Sequence, residues 1–351
     1  MSVFKGKNIT LEIYGESHAE HIGVSAAGFP ELPVNVEELS AFLSRRSGGK
    51  RYSTSRKEQD IPVFSGLKDG KICGEFTAEF FNQDIKKSDY ESLYAKPRPS
   101  HADFVRFVKE GTLDFAGGGR FSGRMTAPFC VAGGLAVQYL RRLSVHISAY
   151  VSSVGTVKGK SYREGGMDAF KAATLRDSGE FPSLDQKEEM LSCIEECKKA
   201  GDSVGGVVEC IVSGLAAGVG NDLFEGLESK ISSLVFAIPA VKGVQFGDGF
   251  SLSERYGSAA NDELQAENGK IKLRTNRAGG INGGVSNGED LTLSVAFRPT
   301  PSIAKPQKTV DLLTGENITI SISGRHDPCI APRAAVCVES AVALALLDEI
   351  L

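Results

Sequence analysis

Two long apolar segments constrain the fold of this chain more than any other feature of its sequence. Residues 126–143 (TAPFCVAGGLAVQYLRRL) and 332–351 (PRAAVCVESAVALALLDEIL) predict helices that are apolar nearly all round. A helix at a protein surface keeps a polar face, so helices of this kind lie between other layers of structure. No run approaches the ~18 apolar residues that are needed to span a bilayer, and we expect no membrane partner.

Three segments predict strands that would cover such a helical layer. Residues 8–15 (NITLEIYG) alternate isoleucine and leucine on one face, and residues 146–157 and 205–216 are rich in β-branched side chains. The mixture lacks a regular βαβ rhythm, which favours an α+β fold in which helices lie between antiparallel sheets. No repeat or low-complexity linker divides the chain, so we expect a single domain over residues 1–351.

Residues 183–201 (SLDQKEEMLSCIEECKKAG) predict an amphipathic helix with polar ends. Ser183 and Gln186 have the spacing of a capping box, and Gly201 predicts the C-terminal stop. An apolar stripe within the segment predicts that one face of this helix is buried.

Charge and cysteine content limit the partners and the compartment. The 40 basic and 44 acidic side chains give a net charge of −4, which argues against general binding of nucleic acid or membrane surfaces. The seven cysteines are odd in number and form no C-x-x-C pair, which predicts buried, reduced thiols. The N-terminus resembles no signal peptide, so a cytoplasmic protein is expected.

Glycine is unusually abundant, at 40 of 351 residues or about 11%, against about 7% in average proteins. Clusters of glycines lie beside basic residues in the sequence. Glycine lets the backbone come close to a ligand, so loops rich in glycine can surround an anion with main-chain N–H groups. This pattern predicts a focused pocket for a small molecule with several negative charges. The basic residues of these segments are Arg45, Arg46, Lys50, Arg51, Arg98, Arg120, Arg124, Arg298, Arg325 and Arg333.

Histidine is rare, and three of the five histidines occupy polar, turn-like segments. These are His18, His101 and His326. Histidine exchanges protons near neutral pH, so these positions are candidates for acid–base chemistry. The residues alone therefore predict an enzyme that acts on a phosphorylated or carboxylated metabolite.

Several near-matches to other motifs suggest different functions. GESHA at residues 15–19 nearly matches the nucleophile elbow G-x-S-x-G, which leaves open a serine hydrolase that uses Ser17. GTVKGKS at 155–161 has too few residues between its glycines for a P-loop, and GGGRFSG at 117–123 lacks the Rossmann spacing. His18 and His21 alone are a weak metal site, and we expect no metal.

Nine segments, in order along the chain, resemble chorismate synthases. They are GESHAEHIG, RRSGGKRYSTSRKEQD, RPSHADF, GGGRFSGRMTA, GDSVGG, AVKGVQFGDGF, NRAGGINGGVSNGEDL, RPTPSI and GRHDPCIAPRA. One such motif would be weak evidence, but nine in order are specific. The resemblance runs from about residue 7 to 350.

The resemblance implies a fold, an activity and a cofactor. The family fold is a β-α-β sandwich with a helical layer between antiparallel sheets, assembled as a homotetramer. Family members are lyases of the shikimate pathway, which serves aromatic amino-acid biosynthesis. They convert 5-enolpyruvylshikimate 3-phosphate to chorismate by 1,4-anti elimination of phosphate, and they require reduced FMN (FMNH2) without net oxidation. No reductase segment stands out, so we expect a monofunctional enzyme whose flavin is reduced by an external reductant. NADPH, and hence NADP, would take part only indirectly, as the source of electrons for that reductant.

The resemblance also implies roles for individual residues. His18 matches a histidine that protonates departing phosphate, His101 a histidine that stabilises reduced flavin, and Asp327 a carboxylate that deprotonates flavin N5. The positions matching flavin contacts are Arg120, Phe121, Ser122, Pro239, Ala240, Gly283, Arg298, Pro299, Thr300, Pro301, Ser302 and Arg325. Ser17, Arg46, Arg51 and Arg124 are expected to serve the substrate.

Three departures from the family pattern bear on activity. Phe121 replaces the usual serine, Met125 the usual glutamate, and Pro301 a further serine. Phe121 and Pro301 remove hydroxyl donors near the expected flavin, although backbone contacts survive such changes. A catalytically silent homologue that binds flavin or anions is therefore a further alternative.

Overall fold

The structure is a computed structural model that describes residues 1–55, 60–82, 93–179, 181–322, 324 and 326–351. Its helices are α1 Val36–Ser44, α2 Asp103–Glu110, α3 Thr126–Arg142, α4 Ala169–Asp177, α5 Lys187–Lys199, α6 Leu227–Phe236, α7 Gly257–Ala260 and α8 Ala331–Ile350. Its strands are β1 Ser2–Lys5, β2 Thr10–Gly15, β3 His21–Pro33, β4 Val63–Ser65, β5 Lys71–Phe81, β6 His146–Val154, β7 Val157–Lys158, β8 Gly206–Ser213, β9 Val241–Phe246, β10 Leu264–Glu267, β11 Lys270–Leu273, β12 Ile281–Asn282, β13 Val285–Ser286, β14 Leu291–Phe297, β15 Gln307–Val310 and β16 Asn317–Ile320.

Two five-stranded antiparallel sheets form the outer layers of the core. The first has the order β1-β2-β3-β5-β4 and the second the order β7-β6-β8-β14-β9. The registers place Leu11 opposite Ala26 in the first sheet and Val295 opposite Val208 in the second. All four side chains are buried, so each sheet presents an apolar face to the interior.

Helices α3 and α8 fill the space between these sheets. Helix α3 packs against β3 and β5, α8 packs against β6 and β8, and the two helices pack against each other. Most residues of both helices are buried, and their buried polar side chains are Thr126, Gln138, Glu339, Ser340 and Asp348. The prediction of an α+β fold with a helical layer between antiparallel sheets is confirmed.

Buried acidic groups of α8 fix this helix to its neighbours. Glu339 accepts two hydrogen bonds from Arg45 at 2.5 and 2.8 Å and one from the Ala149 amide at 2.7 Å. Because its charge is paired and its oxygens are satisfied, Glu339 is tolerated at 0% exposure. It joins α8 to the end of α1 and to β6.

The predicted element bounds hold for the long helices and need correction elsewhere. The strand predicted over residues 146–157 is interrupted, because Gly155 adopts φ +55° between β6 and β7. The capping box is wrong: α5 begins at Lys187, and its N-cap Gln186 has φ +52° and makes no side-chain capping bond. The Ser183 hydroxyl donates instead to the Asp185 carbonyl at 3.0 Å, which stabilises a turn before the helix.

All seven cysteines are free thiols, as predicted. Cys130, Cys210, Cys329 and Cys337 are buried, as expected. The expectation of burial is wrong for the other three: Cys193 and Cys197 are half-buried, and Cys73 is exposed at the outer face of β5. Within the described part of the chain, no helix is both long and apolar enough to cross a membrane.

Candidate active site

A cavity of about 990 Å³ opens at the N-terminal ends of α3 and α8. Loops 117–125, 236–242 and 298–302 form much of its wall, together with residues 46–48 and the first turns of the two helices. The volume lies at the upper end of the range of about 300–1,000 Å³ that holds cofactors and drug-sized ligands. The helical layer thus fixes the floor of the cavity, and the loops form its edge.

Charged residues with little exposure cluster in the wall of this cavity. We call Arg46, Asp60, Arg124, Asp327 and Arg333 the buried charge cluster. Asp60 accepts hydrogen bonds from both Arg46 and Arg124, and the three side chains are at most 5% exposed. Asp327 pairs with Arg333, whose Nε donates to the Arg46 carbonyl at 2.7 Å and so joins the two pairs.

The electrostatics of the buried charge cluster keep Asp60 and Arg46 ionised. Burial alone would raise the pKa of Asp60, but Arg46 and Arg124 lower it below its usual value. Burial also opposes the charge of Arg46, yet Asp60 raises the pKa of this guanidinium. The buried Nε of Arg46 has no hydrogen-bond partner among the residues that the structure describes. A buried donor without a partner in a cavity wall is the kind of group that a ligand acceptor satisfies.

His101 is held in the cavity wall by a second ionic arrangement. Its Nδ1 lies 2.6 Å from Asp103 Oδ1, and Arg98 binds both oxygens of Asp103 at 2.7 Å. Burial would raise the pKa of Asp103, but the hydrogen bonds from Arg98 and His101 lower it to about 2. An ionised Asp103 accepts a hydrogen bond from Nδ1–H and fixes the ring orientation, which leaves Nε2 for exchange with a ligand.

The entrance of the cavity is built from partly exposed loop residues. We call Arg120, Phe121, Arg298 and Pro301 the exposed rim. Arg120 pairs with Glu110 and lies 5.5 Å from the centre of the Phe121 ring, which is a cation–π distance. Arg298 donates to the Ser100 carbonyl at 2.6 Å. Both arginines are thus held by single exposed partners, unlike those of the buried charge cluster.

Backbone strain occurs where the exposed rim meets the floor. Ala240 has φ +73°, which side chains of L-residues rarely adopt, and its carbonyl accepts from the Arg298 amide at 3.0 Å. Non-glycine residues in this region cost roughly 1–3 kcal/mol and cluster at ligand sites. In the same loop as Arg298, the buried Thr300 hydroxyl has no hydrogen-bond partner within the described part of the chain. The 298–302 loop therefore presents polar groups that a ligand could satisfy.

Most of the predicted site residues line this cavity. They are His101, Asp327, Arg120, Phe121, Ser122, Pro239, Ala240, Arg298, Thr300, Pro301, Ser302, Arg46 and Arg124. The loops that carry them are far apart in sequence, and the structure brings them together.

Ser17 and His18 lie directly behind the cavity wall. The Ser17 hydroxyl is 3.0 Å from His18 Nδ1, and Ser17 is 1% exposed. His18 packs against Gly117, which lines the cavity with φ +63°; a Cβ at Gly117 would overlap the His18 ring. This explains why the 117–119 turn requires glycine at its first position.

The remaining predicted residues lie elsewhere. Arg51 is half exposed and pairs with Glu195 at 2.5 Å and with Glu188 at 3.4 Å, both on α5. Gly283 occupies the exposed turn between β12 and β13, and Pro299 is exposed beside the rim; neither lines the cavity. Arg325 lies outside the described residues.

The sequence analysis missed two acidic residues of the site. Asp103 was detectable, because it stands two residues after His101 in RPSHADF. Asp60 ends the quoted segment RRSGGKRYSTSRKEQD, but its contacts had no local signal, since its partners Arg46 and Arg124 lie 14 and 64 residues away.

Comparison with known proteins agrees with this architecture. The profile of the chorismate synthase family matches residues 9–351. The chain belongs to the chorismate synthase family. The chorismate synthase of Korarchaeum cryptofilum is 39% identical, with 99% of this chain and 96% of the relative covered. That of Thermococcus kodakarensis is 41% identical, with 99% and 97% covered.

A solved structure extends the agreement to the fold of the chorismate synthase family. The crystal structure of a chorismate synthase superposes with a TM-score of 0.76, covering 99% of this chain and 93% of that chain. At 24% identity, this match supports the fold rather than individual site residues. Membership of this family implies a lyase that acts on a small molecule.

Proposed function

We propose that this chain converts 5-enolpyruvylshikimate 3-phosphate to chorismate and phosphate, with reduced FMN as the cofactor. The proposal includes the finer features that the family relation suggests: a monofunctional carbon–oxygen lyase of the shikimate pathway, a cytoplasmic location and a homotetramer. NADPH would serve only indirectly, through an external flavin reductant.

The charge of the cavity carries this proposal. Among the described residues, eight basic side chains and two carboxylates line the cavity. The cavity wall is therefore rich in positive charge, although the whole chain has a net charge of −4. The basic residues are Arg46, Arg98, Lys109, Arg120, Arg124, Lys242, Arg298 and Arg333. Such a concentration raises the local density of anions and suits a substrate with two carboxylates and one phosphate.

The residues present also suit a flavin phosphate beside the substrate. The exposed rim offers two arginines, and the buried Thr300 hydroxyl lacks a partner. We expect Arg120, Ser122, Arg298, Thr300 and Ser302 to hold FMN, and Phe121 and Pro301 to contribute backbone groups or apolar contact. The chemistry that reduced FMN supplies when bound is transient electron donation, which helps phosphate to leave.

The buried charge cluster would bind and orient the substrate. Arg46 and Arg124 share Asp60, so an incoming anion meets two guanidiniums that are already ordered and desolvated. Arginine provides paired N–H donors for carboxylate or phosphate, and pre-ordering reduces the entropy lost on binding.

Three groups would hold or move protons. His101, oriented by Asp103, offers Nε2 to stabilise negative charge on a ligand. His18, fixed by Ser17 and Gly117, lies close enough to the wall to serve the departing phosphate after a small movement of the 117–119 turn. Asp327 accepts from the Thr54 amide at 2.8 Å and from Arg333, which keeps it in place as a proton acceptor.

An anaerobic assay with dithionite-reduced FMN and 5-enolpyruvylshikimate 3-phosphate tests this proposal. We expect phosphate release that depends on reduced flavin and does not require added NADPH. Flavin binding without turnover would instead indicate the silent homologue. The serine hydrolase alternative predicts labelling of Ser17 by a fluorophosphonate, which burial of its hydroxyl disfavours. Light scattering tests the tetramer, and a monomeric mass would contradict it.

A further inference from the structure

Two cysteines meet where α3 and α8 cross below the cavity. The sulfur atoms of Cys130 and Cys337 are 3.7 Å apart. Cys130 is fully buried, whereas Cys337 is 3% exposed and belongs to the cavity wall. One sulfur of the pair thus faces a cavity that small solutes can enter, and the other lies behind it.

The helix packing brings this pair within reach of a covalent bond. Gly133 and Ser340 lie three residues further along each helix, and a Cβ at Gly133 would overlap Ser340. The absence of that Cβ lets the helix backbones approach closely. A disulfide needs its sulfurs at about 2.05 Å, so they must close by about 1.7 Å, which is within the reach of side-chain rotation.

The surroundings make the two thiols chemically unequal. Cys130 donates its S–H to Cys337, and this hydrogen bond, with the positive charges of Arg46 and Arg333, lowers the pKa of Cys337 although burial opposes the shift. Burial raises the pKa of Cys130. Cys337 is also the member of the pair that lines the cavity, where a solute can reach it. We therefore assign Cys337 as the attacking sulfur and Cys130 as the resolving one.

We propose that Cys130 and Cys337 form an oxidation site for hydroperoxides that enter the cavity. The Cys337 thiolate attacks the distal peroxide oxygen and becomes a sulfenic acid, while the other oxygen leaves and is protonated to an alcohol or water. The Cys130 thiol then attacks the sulfenic sulfur, which forms the disulfide and releases water. The two thiols lose two electrons and two protons in total, and the peroxide is reduced by two electrons.

The other cysteines provide matched controls. Cys210 is as buried as Cys130, and burial raises its pKa as well, but it does not line the cavity. Cys193 and Cys197 lie four residues apart on the single helix α5. Cys73 is exposed and does not line the cavity. The oxidation uses neither flavin nor substrate, although Cys337 lines the cavity proposed to hold both. The proposal can therefore fail without the proposed function failing.

Peptide mapping of the native protein tests the proposal directly. The protein is treated with hydrogen peroxide near stoichiometric amount, free thiols are blocked, and peptides are identified by mass spectrometry. We expect a Cys130–Cys337 disulfide, with Cys337 consumed at least about ten-fold faster than Cys210. In guanidinium this preference should vanish. If the exposed Cys73 became oxidised while Cys130 and Cys337 both remained free thiols, the proposal would be overturned.

Single substitutions separate the two roles. Cys130→Ser removes the resolving thiol, so sulfenic acid should accumulate at Cys337 and be trapped by dimedone. Cys337→Ser should leave Cys130 unoxidised, because its thiol has lost its partner and does not face the cavity. Dimedone labelling of Cys130 in this second variant would contradict the assignment. Circular dichroism confirms that each variant is folded.

Discussion

The buried charge cluster and the exposed rim line the same cavity but are stabilised differently. In the cluster, Arg46 and Arg124 share one carboxylate and are at most 5% exposed. In the rim, Arg120 is one-third exposed, and Arg298 is held by one backbone carbonyl. Removing one partner from a buried ion pair costs about 3–5 kcal/mol, whereas exposed pairs contribute about 0–1 kcal/mol. Changes in the cluster should therefore affect both fold and turnover, and changes in the rim mainly cofactor affinity.

Replacing Arg124 should give the largest loss. Arg124→Met removes a guanidinium bound to Asp60 and Asn82 and leaves Asp60 with Arg46 as its remaining ionic partner. We expect kcat/KM to fall by about 10³-fold or more, measured as anaerobic chorismate formation. The double variant Asp60→Asn/Arg124→Met should recover stability without recovering turnover. Recovery of both would show that Arg124 acts only through folding.

His101→Ala should lower kcat by about 10²–10³-fold with little change in KM, because a proton-transfer group acts mainly in the transition state. His146→Ala provides the control, since His146 is exposed at the start of β6, away from the cavity wall. A rise in KM with kcat unchanged would assign His101 to substrate binding instead.

Asp103 should make the free energy of unfolding depend on pH in the acid range. Its folded pKa of about 2 lies below the unfolded value of about 3.9, so its ion pair stabilises the fold above about pH 4 and is lost as the pH falls toward 2. The shift corresponds to about 2–3 kcal/mol. Urea unfolding of Asp103→Asn should therefore lose this pH dependence, and Asp114→Asn, at an exposed site, should retain it. Equal pH dependence in both variants would refute the link.

Arg298→Ala should weaken reduced FMN binding by about ten-fold, which corresponds to about 1.4 kcal/mol, because one charge-assisted contact is lost from a partly exposed site. The free energy of unfolding should change little. Pro299→Ala is the matched control next to it, and it does not line the cavity. Titration of flavin absorbance measures the affinity. If Arg298→Ala lowered the free energy of unfolding and left the flavin affinity unchanged, Arg298 would serve the stability of the fold and not cofactor binding.

Arg51→Ala should have the smallest effect, less than about two-fold on kcat/KM. Arg51 is half exposed and pairs with acidic residues of α5, and such surface pairs contribute little. The family relation suggested an anion-binding role for this arginine, so the comparison with Arg46→Ala is informative. A large increase in KM for Arg51→Ala would restore that role.

The layered fold was predictable because its evidence is local. Helices α3 and α8 lack a polar face, and this pattern alone requires layers on both sides. The start of α5 was not predictable, since Ser183 donates to a neighbouring carbonyl and Gln186 adopts a left-handed conformation. Tertiary context decided that boundary.

The site was only partly predictable. The motifs that resemble the family predict roles for His101 and Asp327, which line the cavity, but they do not predict that Asp60 joins Arg46 to Arg124. That contact depends on how distant loops meet at the ends of α3 and α8. The pairing of Cys130 with Cys337 is equally non-local, at a separation of 207 residues.

The stoichiometry of a single anaerobic reaction tests the central claim most directly. Reduced FMN, enzyme and 5-enolpyruvylshikimate 3-phosphate are mixed without other reductant, and phosphate, chorismate and flavin absorbance are followed together. The account predicts one chorismate for each phosphate, with the flavin still reduced when the substrate is exhausted. Phosphate released without chorismate, or one flavin oxidised per turnover, would contradict it.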